Sequence, residues 1–239
     1  MNTNKKKTKD FHFKQFSIYG GLSGMPVSTD GVLLGGWSRF FGCNKILDIG
    51  TGTGLLALMC AQRFPQAQIT AIDIDQQAAK AADYNFRQSP WSEKLSVIHA
   101  DINDVAITEM FDGIICNPPY FTSGIPAQQP RRAIARHTHS LSHTSLLNKC
   151  KEFITDDGGA NFVLPLTEGK AFIRAAQDSG WHLTRLCRVR PTANKAAHRL
   201  LIELSKQNTG YAEEELIVHN KQGYSEAFIL LTKDFYLKM

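Results

Sequence analysis

Ile46-Leu47-Asp48-Ile49-Gly50-Thr51-Gly52-Thr53-Gly54 is the stretch from which the fold can be worked out. Its apolar first half predicts a short buried strand, and the residues from 54 to 63 predict a helix that ends before Pro65. Glycines between a strand and a helix let the backbone turn tightly and approach a ligand closely. The stretch therefore predicts a βα unit that carries a ligand-binding loop.

Strand and helix patterns alternate downstream of this unit. Further strands are predicted at 68–72, 95–99, 111–116, 160–164, 181–189 and 198–204, with helices at 75–87, 142–153 and 168–178. Alternation at this spacing is typical of βαβ units in a parallel sheet. No helix separates the last two strands, so we expect them to pair antiparallel. A short strand at 215–218 and a helix at 225–232 complete the pattern, and a short helix at 32–41 precedes it.

Composition indicates one ordinary globular domain. The chain has 239 residues, of which 43% are hydrophobic and 21% charged, and no apolar segment approaches the length of a membrane span. The polar, lysine-rich residues 1–10 contain no apolar stretch, so no secretory signal is expected. We expect a disordered basic tail at 1–10 and a single domain at 11–239, with an N-terminal arm and helix at 11–44. Five scattered cysteines without a CxxC pair favour reduced thiols and a cytoplasmic location.

Acidic residues lie at or just after the carboxyl ends of three of the predicted strands. Asp48 stands just before the glycine loop, where a carboxylate would repel phosphate but accept from an ammonium group. Asp73 ends the second strand, where an acid binds ribose hydroxyls. Asp101 follows the third strand and is placed to accept from an adenine amine, with Ile102 packing on the ring. Together with the GxGxG spacing of Gly50, Gly52 and Gly54, these acids favour an amino acid joined to a nucleoside over a dinucleotide.

Asn117-Pro118-Pro119-Tyr120 follows the strand at 111–116. Each proline ring fixes φ, removes a backbone donor and restricts the preceding residue, so the turn is stiff. The Asn117 side chain and the neighbouring carbonyls then present acceptors beside an aromatic ring. Such a set suits a planar molecule that carries an NH2 group.

These two motifs together resemble the class I S-adenosylmethionine-dependent methyltransferases, and in particular the amino-methylating branch that carries Asn-Pro-Pro-Tyr. The resemblance implies an α/β, Rossmann-like fold: a seven-stranded, mostly parallel sheet with helices on both faces and an antiparallel last strand. It implies S-adenosyl-L-methionine as cofactor. In this chemistry Asn117 and the Pro118 carbonyl would accept from the two amine hydrogens and stabilise developing positive charge, while Tyr120 stacks on the base and Phe121 supports it.

Further segments resemble the bacterial tRNA valine (adenine-37-N(6))-methyltransferases over nearly the whole chain. They are Met25-Pro26-Val27-Ser28-Thr29-Asp30-Gly31-Val32-Leu33-Leu34-Gly35, the Asn-Pro-Pro-Tyr-Phe run, Arg131-Arg132 with Ala135-Arg136-His137-Thr138, Arg188-Val189-Arg190-Pro191, and Lys233-Asp234-Phe235-Tyr236-Leu237. This resemblance implies methylation of the 6-amino group of an adenine in the anticodon loop of a valine tRNA. The lysine-rich start does not belong to the family pattern.

Basic residues are concentrated in ways that favour an RNA partner. Residues 185–199 hold five basic residues and no acid, and 1–14 hold five lysines against one aspartate. A solvated basic face is the alternative. We expect RNA contacts from arginines beside the aromatic pocket and from the C-terminal cluster, namely Arg131, Arg132, Arg136, Arg188, Arg190, Lys195 and Arg199. The histidines near 137–143 lack the ligands of a metal site, so no metal is expected.

Four other functions remain open from the residues alone. A glutamine amide in a protein, or an amino group in ribosomal RNA, could use the same acceptors. A nucleotide- or RNA-binding module without catalysis is possible on the loop alone, as is an NAD oxidoreductase. No segment indicates an obligate protein partner.

Overall fold

A computed structural model of the chain describes residues 7–23, 26–119 and 142–238. Its strands are β1 (Phe11–His12), β2 (Ser17–Ile18), β3 (Lys45–Ile49), β4 (Gln68–Asp73), β5 (Leu95–His99), β6 (Phe111–Cys116), β7 (Ile154–Pro165), β8 (His182–Thr192), β9 (Arg199–Ser205), β10 (Ala212–Asn220) and β11 (Gly223–Tyr224). Its helices are α1 (Thr29–Trp37), α2 (Leu55–Arg63), α3 (Gln76–Arg87), α4 (His143–Phe153), α5 (Leu166–Asp178) and α6 (Glu226–Thr232), with a short 3-10 turn at Ser92–Lys94.

The central sheet has the strand order β11-β10-β8-β9-β7-β6-β3-β4-β5. Strands β3 to β9 are the seven predicted ones, and the pairs among β5, β4, β3, β6 and β7 are all parallel. β9 runs antiparallel to both β7 and β8, as the absence of a crossover helix predicts. β10 and β11 extend the sheet at one edge. β10 pairs parallel with β8 and is longer than the predicted strand at 215–218.

Two hydrophobic clusters cover the two faces of the sheet. One contains apolar residues of α1, α2, α3 and α6, and the other contains those of α4 and α5. Asp75 caps α3, Ser142 caps α4 and Ser225 caps α6, each by accepting from backbone N–H groups of the first turn. These helices therefore begin where the sequence predicts, within one residue.

Helix α1 is buried on every side from its third residue onward and begins earlier than predicted. Its N-cap is Ser28, whose hydroxyl accepts from the Gly31 N–H, so Thr29 and Asp30 lie inside the helix. A Cβ on Gly35 would lie 2.6 Å from the Met59 sulfur of α2. A Cβ on Gly36 would lie 2.8 Å from the Leu231 carbonyl oxygen of α6, so these two glycines allow close packing of α1 between α2 and α6.

The N-terminal hairpin β1–β2 packs against the C-terminal segment. Phe13 bridges Tyr236, and the Lys14 N–H donates to the Phe235 carbonyl at 2.8 Å. The Thr8 N–H donates to the Gly21 carbonyl. Within the predicted tail at 1–10, the described residues Thr8 and Asp10 therefore make hydrogen bonds to the turn after β2, the second through the Gly20 N–H, which donates to the Asp10 carboxylate.

Within 7–23, 26–119 and 142–238, no helix is long and apolar enough to cross a bilayer. The same ranges contain no cluster of three or more His, Cys, Asp or Glu side chains that could hold a metal ion. All five cysteines are free thiols, and four of them are buried.

Candidate active site

The glycine loop and the Asn-Pro-Pro segment start side by side at the carboxyl edge of the sheet. Ile49, the last residue of β3, is the register partner of Cys116, the last residue of β6. Gly50 and Asn117 are the residues that follow this pair. Adjacent strands are separated by about 4.8 Å, so the two motifs emerge from neighbouring points of one edge. Ligands of open α/β sheets bind at this edge.

The acids that follow β4 and β5 lie along the same edge. Ile49 pairs with Ile72 in β4, and Asp73 pairs with His99, the last residue of β5. Asp101 follows two residues later. The fold thus brings together, on four consecutive strands, the segments that the sequence marked as cofactor and substrate elements.

Three glycines of the loop have positive φ, at +70° for Gly50, +60° for Gly52 and +85° for Gly54. At Gly54 a side chain is also excluded by space, because a Cβ would lie 2.5 Å from the Phe86 ring. The loop is tied to β4 by its own N–H groups: those of Gly50 and Thr51 both donate to the Ile72 carbonyl. Only glycine takes these conformations without strain, so the loop shape depends on the GxGxG spacing.

Asp48 lies beneath the loop and is 0% exposed. Its Oδ2 accepts from the Thr51 hydroxyl at 2.6 Å and from the Ala57 N–H at 3.1 Å, whereas Oδ1 has no partner. The pKa of this carboxyl is raised to about 7, mainly by burial and in small part by the charge of Asp73, against the lowering effect of the two hydrogen bonds. A nearby cation would favour the ionised form, whereas a phosphate would not.

Asp73 holds the loop and the start of α3 in place. Its Oδ2 accepts from the Gly52 N–H at 2.8 Å, and its Oδ1 accepts from the Asp75 N–H at 2.8 Å. Burial raises the pKa of Asp73 above its ordinary value, although these backbone hydrogen bonds oppose the shift. Each carboxylate oxygen can accept more than one hydrogen bond, so the group retains acceptor capacity for hydroxyls.

Asp101 forms a turn with Asn103, which donates to its Oδ1 from both the backbone N–H and the side-chain amide at 2.9 Å. The Asn103 side-chain oxygen in turn accepts from the Ser145 hydroxyl of α4. Ile102 is buried in the cluster on the α4–α5 face. Asp101 is thus anchored to both β5 and α4, next to the other acids of the edge.

The Asn-Pro-Pro segment follows β6 directly at the carboxyl edge of the sheet. Pro118 is buried, Asn117 is half-buried and Pro119 is exposed. This arrangement seats the segment in the protein while leaving part of Asn117 accessible. Five predicted substrate-site residues lie outside the described ranges: Tyr120, Phe121, Arg131, Arg132 and Arg136.

The positive charge of the basic residues in 185–199 is largely compensated by carboxylates from distant parts of the sequence. Arg188 pairs with Glu213, and Arg190 pairs with Glu215 at 3.1 Å, because β10 lies alongside β8. Arg199 pairs with Asp30 of α1 at 2.8 Å. The count of basic residues in 185–199 therefore overstates the positive charge of this surface.

Arg185, in the same stretch, is a buried structural residue. Its guanidinium stacks 3.6 Å from the centroid of the Trp37 ring and pairs with Glu203 at 2.9 Å. Burial lowers its pKa, and the charge of Glu203 opposes that shift. Among the described residues, Lys195 is the member of the cluster whose ammonium has no carboxylate within ion-pair distance.

Sequence reasoning missed Asn85, a buried polar residue behind the glycine loop. Its amide contacts the backbone of Thr53 in the loop and of Tyr19 after β2. The signal was present: Ala78, Ala82 and Asn85 share one stripe of α3, and an Asn on an apolar stripe needs a partner inside the protein.

The donor set fits a molecule that combines an amino acid with a nucleoside. A buried carboxyl lies under a narrow glycine loop, and acids at the ends of β4 and β5 lie where ribose and an exocyclic amine can be bound.

Comparison with known proteins agrees with this interpretation. Residues 39–149 match the Methyltransferase small domain family. A predicted O-methyltransferase of known structure, Atu636 from Agrobacterium tumefaciens, superposes with a TM-score of 0.70 at 18% identity, over 86% of this chain and 96% of that one.

Much closer similarity exists at the level of sequence. The chain is 58% identical to the tRNA1(Val) (adenine(37)-N6)-methyltransferase of Vibrio campbellii over all 239 residues, which is 100% of both chains. The enzyme of the same name from Vibrio vulnificus strain CMCP6 is 56% identical over the same full length. Identity of this size along whole chains leaves one conclusion: the protein belongs to the tRNA1(Val) (adenine(37)-N6)-methyltransferase family.

Proposed function

We propose that this protein transfers a methyl group from S-adenosyl-L-methionine to the 6-amino group of adenine 37 in the anticodon loop of a valine tRNA. The observation that carries the proposal is the register of Ile49 with Cys116, which sets the cofactor loop beside Asn117. Family membership over the full chain supports the choice of substrate. A tRNA substrate also implies a cytoplasmic location.

The loop glycines, Asp48 and Asp73 would hold the cofactor, with Asp101 and Ile102 on its adenine. When bound, S-adenosylmethionine supplies a methyl group that its sulfonium already activates, so no strong base is required. Asp48 contributes negative charge under the loop, which favours a cationic ligand, and it fixes Thr51 in place. Asp73 keeps the Gly52 N–H turned inward and offers its remaining lone pairs to hydroxyls.

Asn117 and Pro118 orient the acceptor amine. The Asn117 amide oxygen and the Pro118 carbonyl accept from the two N6 hydrogens, which turns the nitrogen lone pair away from the ring. The same acceptors stabilise positive charge as it develops on nitrogen. Burial of Pro118 supports the proposal, because acceptors oriented before the amine arrives lower the cost of reaching the transition state. In the proposal Tyr120 stacks on the base and Phe121 supports it.

The base must leave its stack to reach these acceptors, which an unpaired anticodon-loop nucleotide does at low cost. We assign the surrounding RNA contacts to Arg131, Arg132 and Arg136, and to a surface formed by Arg188, Arg190, Lys195 and Arg199. Lys195 contributes most within the second group, because the three arginines already hold carboxylates.

Methyl transfer to defined transcripts tests the proposal. Purified protein is incubated with labelled S-adenosylmethionine and valine tRNA, and a transcript with guanine at position 37 serves as the matched control. Label should enter the first transcript as N6-methyladenosine and be absent from the second. Mass spectrometry of nucleosides from tRNA of a strain without the gene should show the loss of that nucleoside. Label found in protein or in ribosomal RNA instead would overturn the proposal.

A further inference from the structure

Asn85, in the last turn of α3, joins two segments that are far apart in sequence. It is 1% exposed. Its Oδ1 accepts from the Tyr19 N–H at 2.9 Å, and its Nδ2 donates to the Tyr19 carbonyl at 3.2 Å and to the Thr53 carbonyl at 2.8 Å. The same amide therefore binds the N-terminal hairpin and the glycine loop.

The three bonds use an acceptor and both donors of the amide, a combination that only Asn and Gln side chains offer. An aspartate would keep the bond from the Tyr19 N–H but would place its carboxylate against two carbonyl oxygens. Because the site is buried, each lost bond would leave a backbone group without a partner. The arrangement is thus specific for an amide at this position.

The neighbouring residue of α3 supports the loop as well. Phe86 lies where a side chain on Gly54 would be, with 2.5 Å between its ring and the added Cβ. Consecutive loop residues, Thr53 and Gly54, therefore rest on consecutive residues of α3. The position of this helix turn sets the position of the loop.

The segment that follows the hairpin returns to the same place. Gly31, in the first turn of α1, packs so closely on α2 that a Cβ there would lie 2.9 Å from Leu55, the residue directly after the loop. The N-terminal segment is therefore attached next to the glycine loop at two points. Tyr19 is attached through Asn85, and Gly31 packs on Leu55. The hairpin and α1 are parts of the loop's support, although they lie outside the βα unit.

We infer that Asn85 is a positioning residue through which docking of the N-terminal hairpin sets the affinity of the loop for S-adenosylmethionine. The inference rests on the proposed function, since that function assigns the loop to this cofactor. Asn85 does not contact the reacting atoms. Its effect is to hold the Thr53 carbonyl, and with it the loop backbone, in the binding conformation.

A coupling of this kind is reciprocal: if docking of the hairpin strengthens cofactor binding, then bound cofactor must stabilise docking by the same factor. A residue that only stabilises the fold would lower the unfolding temperature without changing the affinity of the folded protein. The two roles are therefore separable by experiment.

Calorimetry with S-adenosylhomocysteine as the probe compares full-length wild type, Asn85→Ala and Asn85→Asp. Ser89→Ala is the matched control, because its buried hydroxyl follows the same helix, donates to the Phe86 carbonyl and accepts from the Trp91 N–H rather than bonding to backbone groups of the loop or hairpin. We expect both Asn85 variants to bind about tenfold more weakly or worse, a typical size for coupled sites, and the control to bind as wild type. Thermal unfolding without ligand measures any loss of stability separately.

Hydrogen exchange on wild type keeps the test decisive if the variants do not fold. Saturating S-adenosylhomocysteine should slow exchange of the Tyr19 amide about tenfold, while amides of β11 at the sheet edge serve as reference. Unchanged affinity in both Asn85 variants, or unchanged Tyr19 exchange in wild type that does bind the probe, overturns the inference. Wild type that does not bind the probe at all would instead overturn the proposed function.

Discussion

Arg199 donates from its Nε to the Asp30 carboxylate at 2.8 Å and so joins the first residue of β9 to the first turn of α1. Both side chains are largely buried. Gly31, the next residue of α1, packs on Leu55, the first helical residue after the cofactor loop. It links the part of the sheet assigned to RNA with the helix that supports the loop.

A double-mutant cycle with Asp30→Asn and Arg199→Gln should give a coupling of about 1 kcal/mol in the free energy of unfolding, above the few tenths typical of exposed pairs. Asp83→Asn with Arg87→Gln is the reference cycle, since that pair is exposed on α3 at 3.0 Å. Urea unfolding measures both. A coupling no larger than the reference would mean that burial adds nothing to the Asp30–Arg199 pair.

The ion pairs of the C-terminal cluster predict unequal contributions to RNA binding. Lys195→Ala should weaken binding of valine tRNA and lower the slope of log affinity against log salt by about 1, because one phosphate contact is lost. Arg188→Ala should have a smaller effect, because Arg188 already pairs with Glu213. Filter binding across a salt series measures the slopes. An equal or larger effect at Arg188 would show that its pairing with Glu213 gives way to RNA.

These pairs also show where prediction from the sequence stops. The order of strands and helices, and the antiparallel pairing of β9, follow from local patterns and connection lengths. The sequence predicts only a short strand from Glu215, whereas β10 places the run Glu213-Glu214-Glu215 beside β8, where it meets arginines. Charge compensation between distant segments depends on sheet register, which the local sequence does not contain.

For the candidate site, the sequence predicts the positions of the residues but not their hydrogen bonds. Asp48, Asp73 and Asn117 could be placed at one sheet edge because each lies at or just after the carboxyl end of a recognisable strand. The direction of their hydrogen bonds could not be predicted, since Asp48 and Asp73 turn towards loop N–H and hydroxyl groups of the chain itself. Asn85 escaped notice for the same reason: its partners lie 66 and 32 residues away in the sequence.

Substitution of two glycines with positive φ should distinguish a loss of stability caused by backbone strain from a loss of cofactor affinity. Gly42 and Gly50 have φ of +83° and +70°, and a Cβ at either position would meet nothing within 4 Å. Alanine should therefore lower the free energy of unfolding by a similar amount at both, about 1–2 kcal/mol. Only Gly50→Ala should weaken binding of S-adenosylhomocysteine, because only that residue lies in the loop. If Gly42→Ala also bound S-adenosylhomocysteine more weakly, then the weaker binding of Gly50→Ala would be due to backbone strain and not to its position in the loop.

Asn117→Ala should lower the rate of methyl transfer at least about a hundredfold while leaving cofactor affinity unchanged, because it removes one pre-aimed acceptor at the reacting amine. Asn117→Asp is the matched variant, since it keeps an acceptor oxygen of the same reach. Single-turnover rates and calorimetry with S-adenosylhomocysteine separate chemistry from binding. A rate within a few fold of wild type would remove Asn117 from the mechanism.

Asp48 should make stability depend on pH in an unusual direction. Burial raises its pKa to about 7 in the folded protein, whereas the ordinary value is 3.8. Between these values the folded state binds the extra proton, so this carboxyl makes the protein less stable as pH rises through the window, by at most about 1.4 kcal/mol per pH unit. Asp48→Asn lacks this titration.

The unfolding free energy of Asp48→Asn relative to wild type should therefore improve from pH 5 to about pH 7 in the absence of cofactor and level off between pH 7 and pH 8, where the carboxyl is ionised in both states. Asp156→Asn, which removes an exposed carboxylate on β7, is the control and should show little change across the range. Urea unfolding at several pH values measures both differences. A difference between Asp48→Asn and wild type that stays constant with pH would mean that the buried carboxyl remains ionised, held by Thr51 and Ala57 against the cost of burial.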